Sequence, residues 1–337
     1  MARDTLRRRL RTIPAFTGGF FLVLALAPLL LPAIALADAT RWLVRRRHWM
    51  GVRLYLFGVV YLTAEVGGLV ALGAAWLGAG FGRHRRPLLN WTFAIQQAWA
   101  ATLMAAVRGI FGMRFEVTGA DMVAPGPILL LARHTSIVDN LLPATLVSTP
   151  HEVRLRYVLK RELLSDPCLD VAGNRLLNYF VERGSENTQG ELQAIRDLGG
   201  GLGPHDGVLI YPEGTRFTKE KQVRALEKLG QGDPAILARA RRLRNLLPPR
   251  PGGTLALLQA TSPADVVVLT HHGLDGFAHL RDIWAGAMVN TTVQVQFWRI
   301  QRSELPTERS DQITWLYNLW DRIDAWIEEN NQPGISG

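Results

Sequence analysis

The stretch Leu129-Leu130-Leu131-Ala132-Arg133-His134-Thr135-Ser136-Ile137-Val138-Asp139 is an apolar run that breaks abruptly into polar, reactive residues. A buried parallel strand reads as such a run, and in α/β proteins ligands gather outside the carboxyl ends of these strands. Further along, Val208-Leu209-Ile210-Tyr211-Pro212-Glu213-Gly214-Thr215-Arg216-Phe217 repeats the pattern. The first segment offers an imidazole, which titrates near neutral pH, with a carboxylate five positions on. The second packs a carboxylate, a glycine, a hydroxyl and a guanidinium into four residues, a cluster of phosphate size. The His-x4-Asp spacing is weak alone, because a helix-terminal or core histidine also serves to hold a backbone carbonyl. The Glu213–Arg216 run directly after a strand is far rarer and gives the spacing its context.

Outward from these two segments, strands are expected near 114–118, 127–133, 155–160, 178–182, 207–211, 264–270 and 292–300. Helices are expected near 90–108, 137–147, 188–198, 233–246 and 309–329, the last with Trp315, Leu316, Leu319, Trp320, Ile323 and Trp326 at helical spacing. The Gly/Pro stretches 199–204 and 248–253 read as loops. Strands separated by helices predict an α/β fold with a mixed central sheet flanked by helices.

The pair His134–Asp139 and Tyr211–Phe217 resembles the first and third blocks of the glycerolipid acyltransferases, the family of 1-acylglycerol-3-phosphate acyltransferases. Tyr179-Phe180-Val181-Glu182-Arg183-Gly184 is similar to the family's second block, a strand ending in Arg, and Ala264–Leu269 stands where an apolar fourth is expected. That block reads Val266-Val267-Val268 and lacks the family's usual internal proline, which leaves the edge of the acyl pocket less defined. Glu213–Lys221, followed by Leu246-Leu247-Pro248-Pro249-Arg250, resembles the branch containing lysocardiolipin acyltransferases. The resemblance spans roughly residues 88–310. A lipid A late acyltransferase fits less well, since that family resembles His-x4-Glu.

The resemblance implies transfer of a fatty acyl chain from acyl-coenzyme A or acyl carrier protein to the sn-2 hydroxyl of lysophosphatidic acid, giving phosphatidic acid. A hydroxyl attacking a thioester must lose its proton, so His134 is expected as general base and Asp139 as the group that orients it. No serine nucleophile is required, and the absence of a Gly-x-Ser-x-Gly elbow argues against an α/β-hydrolase. Arg216 and Arg183 are the expected phosphate ligands, because guanidinium pairs with phosphate oxygens in a fork. Thr215 and the amides around Gly214 add hydrogen bonds. Glu213, which would repel a phosphate, is expected to have a structural or acceptor-hydroxyl role; Arg250 and Lys219 are outside candidates for the same anion. Two readings stand beside this one: remodelling of another lysophospholipid such as lysocardiolipin, and a catalytically silent membrane lipid-binding or scaffold protein.

Charge and hydropathy set the first 87 residues apart as a basic, membrane-embedded or monotopic helical region, preceding the acyltransferase domain expected over 88–337. Residues 1–90 carry 13 Arg against Asp4, Asp38 and Glu65; the whole excess of +9 sits there. That excludes a nucleic-acid-binding globular domain as its source and predicts a basic collar on anionic lipid headgroups. Ala15–Ala37 and Leu54–Phe81 are both apolar for the roughly 20 residues a bilayer core requires. Pro28 and Pro32 predict a kink or a dip and return in the first. Glu65 in the second is expected to face the other helix or a polar cavity. Arginine clusters on every flank favour a monotopic arrangement over a two-span hairpin, on the cytoplasmic face of a bacterial inner membrane. A signal peptide is the rival for residues 1–37. One cysteine, Cys168, rules out an intramolecular disulfide and suits a reducing compartment. No Cys/His cluster has zinc spacing, so neither metal nor cofactor is expected beyond the acyl donor, and His271, His272 and His279 read as loop histidines.

Overall fold

The computed structural model describes residues 2–182, 188–277 and 280–331. Seven strands, β1 (Arg114–Thr118), β2 (Ile128–Ala132), β3 (Arg154–Lys160), β4 (Tyr179–Val181), β5 (Asp206–Ile210), β6 (Asp265–His272) and β7 (Thr292–Ile300), form one sheet in the order β1-β7-β6-β2-β5-β3-β4. β2 runs parallel to both of its neighbours, β5 and β6, while β7 is antiparallel to β6. The fold is α/β with a mixed central sheet flanked by helices. β2 is central and every one of its residues is buried, which is why its sequence is an unbroken apolar run rather than an alternation.

By the grouping of its contacts the chain forms two compact units. One comprises Met1–Arg114, Leu159–Gly184 and Leu280–Thr291; the other comprises Phe115–Val158, Ser185–His279 and Thr292–Gly337.

The first unit is helical at its start: α1 (Ala2–Arg45), α2 (Met50–Gly78) and α3 (Arg85–Phe111). α1 and α2 are long and apolar enough to cross a membrane. α1 continues through Pro14 and also through Pro28 and Pro32, where the sequence predicts a kink or a return. A proline forfeits one backbone donor, and the apolar run on either side keeps the remaining ladder helical. Glu65 of α2 is fully buried, accepting from Trp99 Nε1 of α3 at 2.7 Å and from the Cys168 amide at 3.1 Å. Cys168 lies in the helix Pro167–Arg175, which Asp166 caps by accepting from the Leu169 amide at 2.8 Å. Asp170 of that helix takes guanidinium hydrogen bonds from Arg8 at 2.9 and 3.0 Å, so part of the N-terminal arginine excess is spent on an internal ion pair.

In the second unit the sheet is covered by helices Thr188–Gly199, Lys219–Leu229, Pro234–Ala240, Pro251–Ala260 and Arg309–Asn331. The C-terminal helix buries Leu316, Leu319, Trp320 and Ile323, so its apolar stripe is core. The segment expected as a helix over 137–147 is a 3-10 turn, Val138–Leu141, followed by a wider turn, Pro143–Ser148. The helix expected over 233–246 stops at Ala240. Beyond it the Arg244 and Asn245 amides donate to the Asp324 carboxylate at 2.9 and 2.7 Å, which draws those residues out of helical pairing. Pro251–Ala260, read as beginning in a loop, is a helix with proline in its first turn, where the missing donor costs nothing.

Candidate active site

Three parallel strands deliver the site. In register, Leu131 pairs with Ile210 of β5 and Ala132 with Leu269 of β6, so the residues after β2 and β5 and at the end of β6 emerge at one sheet edge. His134, Glu213 and His271 stand there within two or three residues of the last paired positions.

His134 and Asp139 meet. Nδ1 of His134 lies 3.1 Å from Oδ1 of Asp139, and both side chains are buried. The turn between them is closed reciprocally. Oδ2 of Asp139 accepts from the Thr135 and Ser136 amides at 2.6 and 2.8 Å, and Ser136 Oγ accepts from the Val138 and Asp139 amides at 3.1 and 3.3 Å. This is a capping-box exchange with Asp in the acidic position, and it fixes the carboxylate. Burial alone would raise the Asp139 carboxyl; the facing His134, with a contribution from His271, outweighs it and holds the group well below the usual carboxylate range. With Nδ1–H bound to a carboxylate, Nε2 of His134 is left as the proton acceptor. Tyr211 covers the imidazole, its ring centroid 4.5 Å away at 34°, and burial keeps its phenol protonated.

Glu213 anchors the His134 backbone. Its two oxygens accept from the backbone amides of His134 at 3.1 Å and Leu247 at 2.9 Å, tying β2 to the segment after residue 240. It is fully enclosed, and burial pushes its carboxyl up to about 8 against the pull of the Leu247 amide, Arg133 and the His134 amide. The Phe217 amide returns a bond to the His134 carbonyl at 2.8 Å, closing the two segments on each other.

The turn after β5 is built for close approach. Gly214 has φ +69°, and its amide donates to the Tyr211 carbonyl at 2.8 Å. A Cβ there would lie 3.3 Å from Cδ of Arg250. The Thr215 hydroxyl accepts from Nζ of Lys221 at 3.3 Å, and the same Nζ donates to the Arg216 carbonyl at 3.0 Å. Arg216 is half-buried. Lys219 reaches away, donating to the Arg244 carbonyl at 2.7 Å. Arg183 lies outside the described residues.

Two participants go unrecognised in the sequence. Lys221 ends the Glu213–Lys221 run, in which the sequence gives it no role, and stands in the first turn of the helix Lys219–Leu229. His271 reads as a loop residue, because Thr270-His271-His272 is polar. It belongs to β6 and is wholly buried, with Nε2 3.5 Å from Oδ2 of Asp139. Arg133 is buried as well, and donates to the carbonyls of His271 at 2.5 Å and Asn245 at 2.9 Å while pairing with Asp275.

Residues 114–271 match the family model described as Acyltransferase. No curated protein matches the sequence. Among solved structures, the 1-acyl-sn-glycerophosphate (LPA) acyltransferase PlsC from Thermotoga maritima shares the fold. Its TM-score is 0.52 and its identity 13%, over 84% of this chain and 95% of that one. The matched span opens with β1, contains both segments that build the sheet-edge site and closes at His271: the chain carries an acyltransferase domain.

Proposed function

We propose that the protein moves a fatty acyl chain from acyl-coenzyme A or acyl carrier protein onto the sn-2 hydroxyl of lysophosphatidic acid. The observation that carries this reading is the enclosed His134–Asp139 pair, 3.1 Å apart, beside the Gly214–Arg216 turn. The acceptor hydroxyl gives its proton to Nε2 of His134 as its oxygen attacks the thioester carbonyl. The C–O bond forms, the tetrahedral intermediate expels the thiolate, and the proton passes from His134 to the departing sulfur. Asp139 holds the tautomer and faces the transient imidazolium. Arg216 takes the acceptor's phosphate, with the Thr215 hydroxyl and the amides at Gly214 as further donors. Glu213 touches no substrate and sets the backbone of the base. The apolar helices α1 and α2, with their arginine-rich flanks, hold the enzyme at the cytoplasmic face of a bacterial inner membrane, where lysophospholipid and thioester meet.

The test is acyl transfer by the purified full-length protein in mixed micelles, with labelled acyl-coenzyme A or acyl carrier protein and a panel of lysophospholipids. Lysophosphatidic acid is expected to give the highest kcat/KM. A clear preference for lysophosphatidylglycerol or lysocardiolipin would replace it as the acceptor.

A further inference from the structure

Asp139 has a second imidazole beside it. β6 pairs with β2 through Leu269 and Ala132, and the Arg133 amide donates to the Leu269 carbonyl at 3.0 Å. Neighbouring strand ends therefore carry His134 and His271 to opposite sides of one carboxylate. His271 is fully buried, and neither ring nitrogen makes a hydrogen bond of normal geometry among the described residues. Its Nε2 stands 3.5 Å from Oδ2 of Asp139. A neutral imidazole carries one N–H, and buried donors without acceptors are rare in folded proteins. The backbone of His271 is pinned by Arg133, which is buried and paired with Asp275, itself 3.6 Å from His272.

We propose that His271 is a positioning residue for the acyl transfer: its Nε2–H donates to Oδ2 of Asp139 and holds the carboxylate so that Oδ1 faces His134. The role rests on the reading of His134 as base. A separation of 3.5 Å is long for a formed bond, and catalytic hydrogen bonds tighten as the transition state forms. Once His134 has taken the proton of the acceptor hydroxyl, a donor on Oδ2 makes Asp139 a weaker base. The proton then stays on His134, available to the departing thiolate. Nothing in this role brings His271 into contact with either substrate.

The test is steady-state kinetics on the full-length protein with acyl-coenzyme A and lysophosphatidic acid, comparing His271→Phe, His271→Gln, His271→Asn and His134→Ala, with thermal midpoints for each. His271→Phe keeps the volume and removes the N–H; kcat should fall by about ten- to a hundredfold, the worth of one hydrogen bond to a charged group, with both KM values unchanged. His271→Gln, whose amide nitrogen reaches the place of Nε2, should recover most of that loss. The shorter His271→Asn should not. A kcat of His271→Phe within about twofold of the wild type, a rise in KM matching the fall in kcat, or equal loss in the Gln and Asn variants would overturn the proposal. If His271→Phe does not fold, the Gln–Asn comparison decides alone. Activity surviving in His134→Ala would instead remove the base on which the role rests. An inactive His134→Ala beside an unimpaired His271→Phe removes the positioning role only.

Discussion

Asp139 is held against its surroundings by its partners. It is a buried carboxylate that would be protonated by burial alone, kept ionised by two backbone amides and by the imidazole it faces. Asp139→Asn keeps the shape and removes the charge, and an amide N–H turned toward Nδ1 would place the imidazole proton on Nε2. That tautomer cannot accept a proton from the acceptor. We expect kcat to fall by roughly 10²- to 10⁴-fold, the usual range for general-base catalysis, with acceptor KM little changed; steady-state kinetics checks this. Glu213 lies at the other extreme, with burial pushing it from 4.5 to about 8. Between those values the folded protein keeps a proton at Glu213 that the unfolded chain has released, so this group makes the fold less stable as pH rises through that window. The thermal midpoint of the wild type should drop from pH 5.5 to pH 8.5 by more than that of Glu213→Gln. Equal pH dependence in the two proteins would show that Glu213 does not titrate there.

At the scale of elements, the turn after β5 depends on one residue without a side chain. Gly214→Ala places a Cβ at φ +69°, which costs roughly 1–2 kcal/mol, and presses it on Arg250. We expect a thermal midpoint lower by a few degrees and an acceptor KM that rises more than kcat falls, both readable in one set of melts and rate curves. All seven strands were legible to within two residues in the sequence, because a buried strand announces itself by composition alone. The same signal located His134 and Glu213–Arg216, which stand directly after such runs. Helices were harder to read. Lys219–Leu229 has few apolar residues to set a period, and Pro251–Ala260 begins with Pro-Gly-Gly, which reads as a break; its Gly253 allows close approach, a Cβ there meeting Ile210 Cδ1 at 3.1 Å. His271 escaped for a related reason: two polar residues at a strand end look like the loop that follows, and only pairing with β7 keeps them in the strand. That Asp139 accepts from the amides of its own turn depends on backbone dihedrals that residue spacing does not encode.

Across the whole molecule, charge and hydropathy divide the chain unequally. The first 90 residues hold the entire positive excess beside two apolar helices, and the remainder is near neutral. Binding to vesicles containing phosphatidylglycerol should therefore weaken with added salt yet persist at about 1 M, where the Debye length is about 3 Å and only the apolar contribution remains. Full release into the supernatant on sedimentation in high salt would mean the helices do not insert. The proposed transfer turns on one imidazole, that of His134. Its most direct test is acyl transfer to lysophosphatidic acid by the wild type and His134→Ala, purified side by side in mixed micelles, with thermal melts to show that both are folded. The prediction is a loss of at least about 10²-fold in kcat with the melt preserved; a folded His134→Ala protein that transfers acyl chains within a few-fold of the wild-type rate would contradict it.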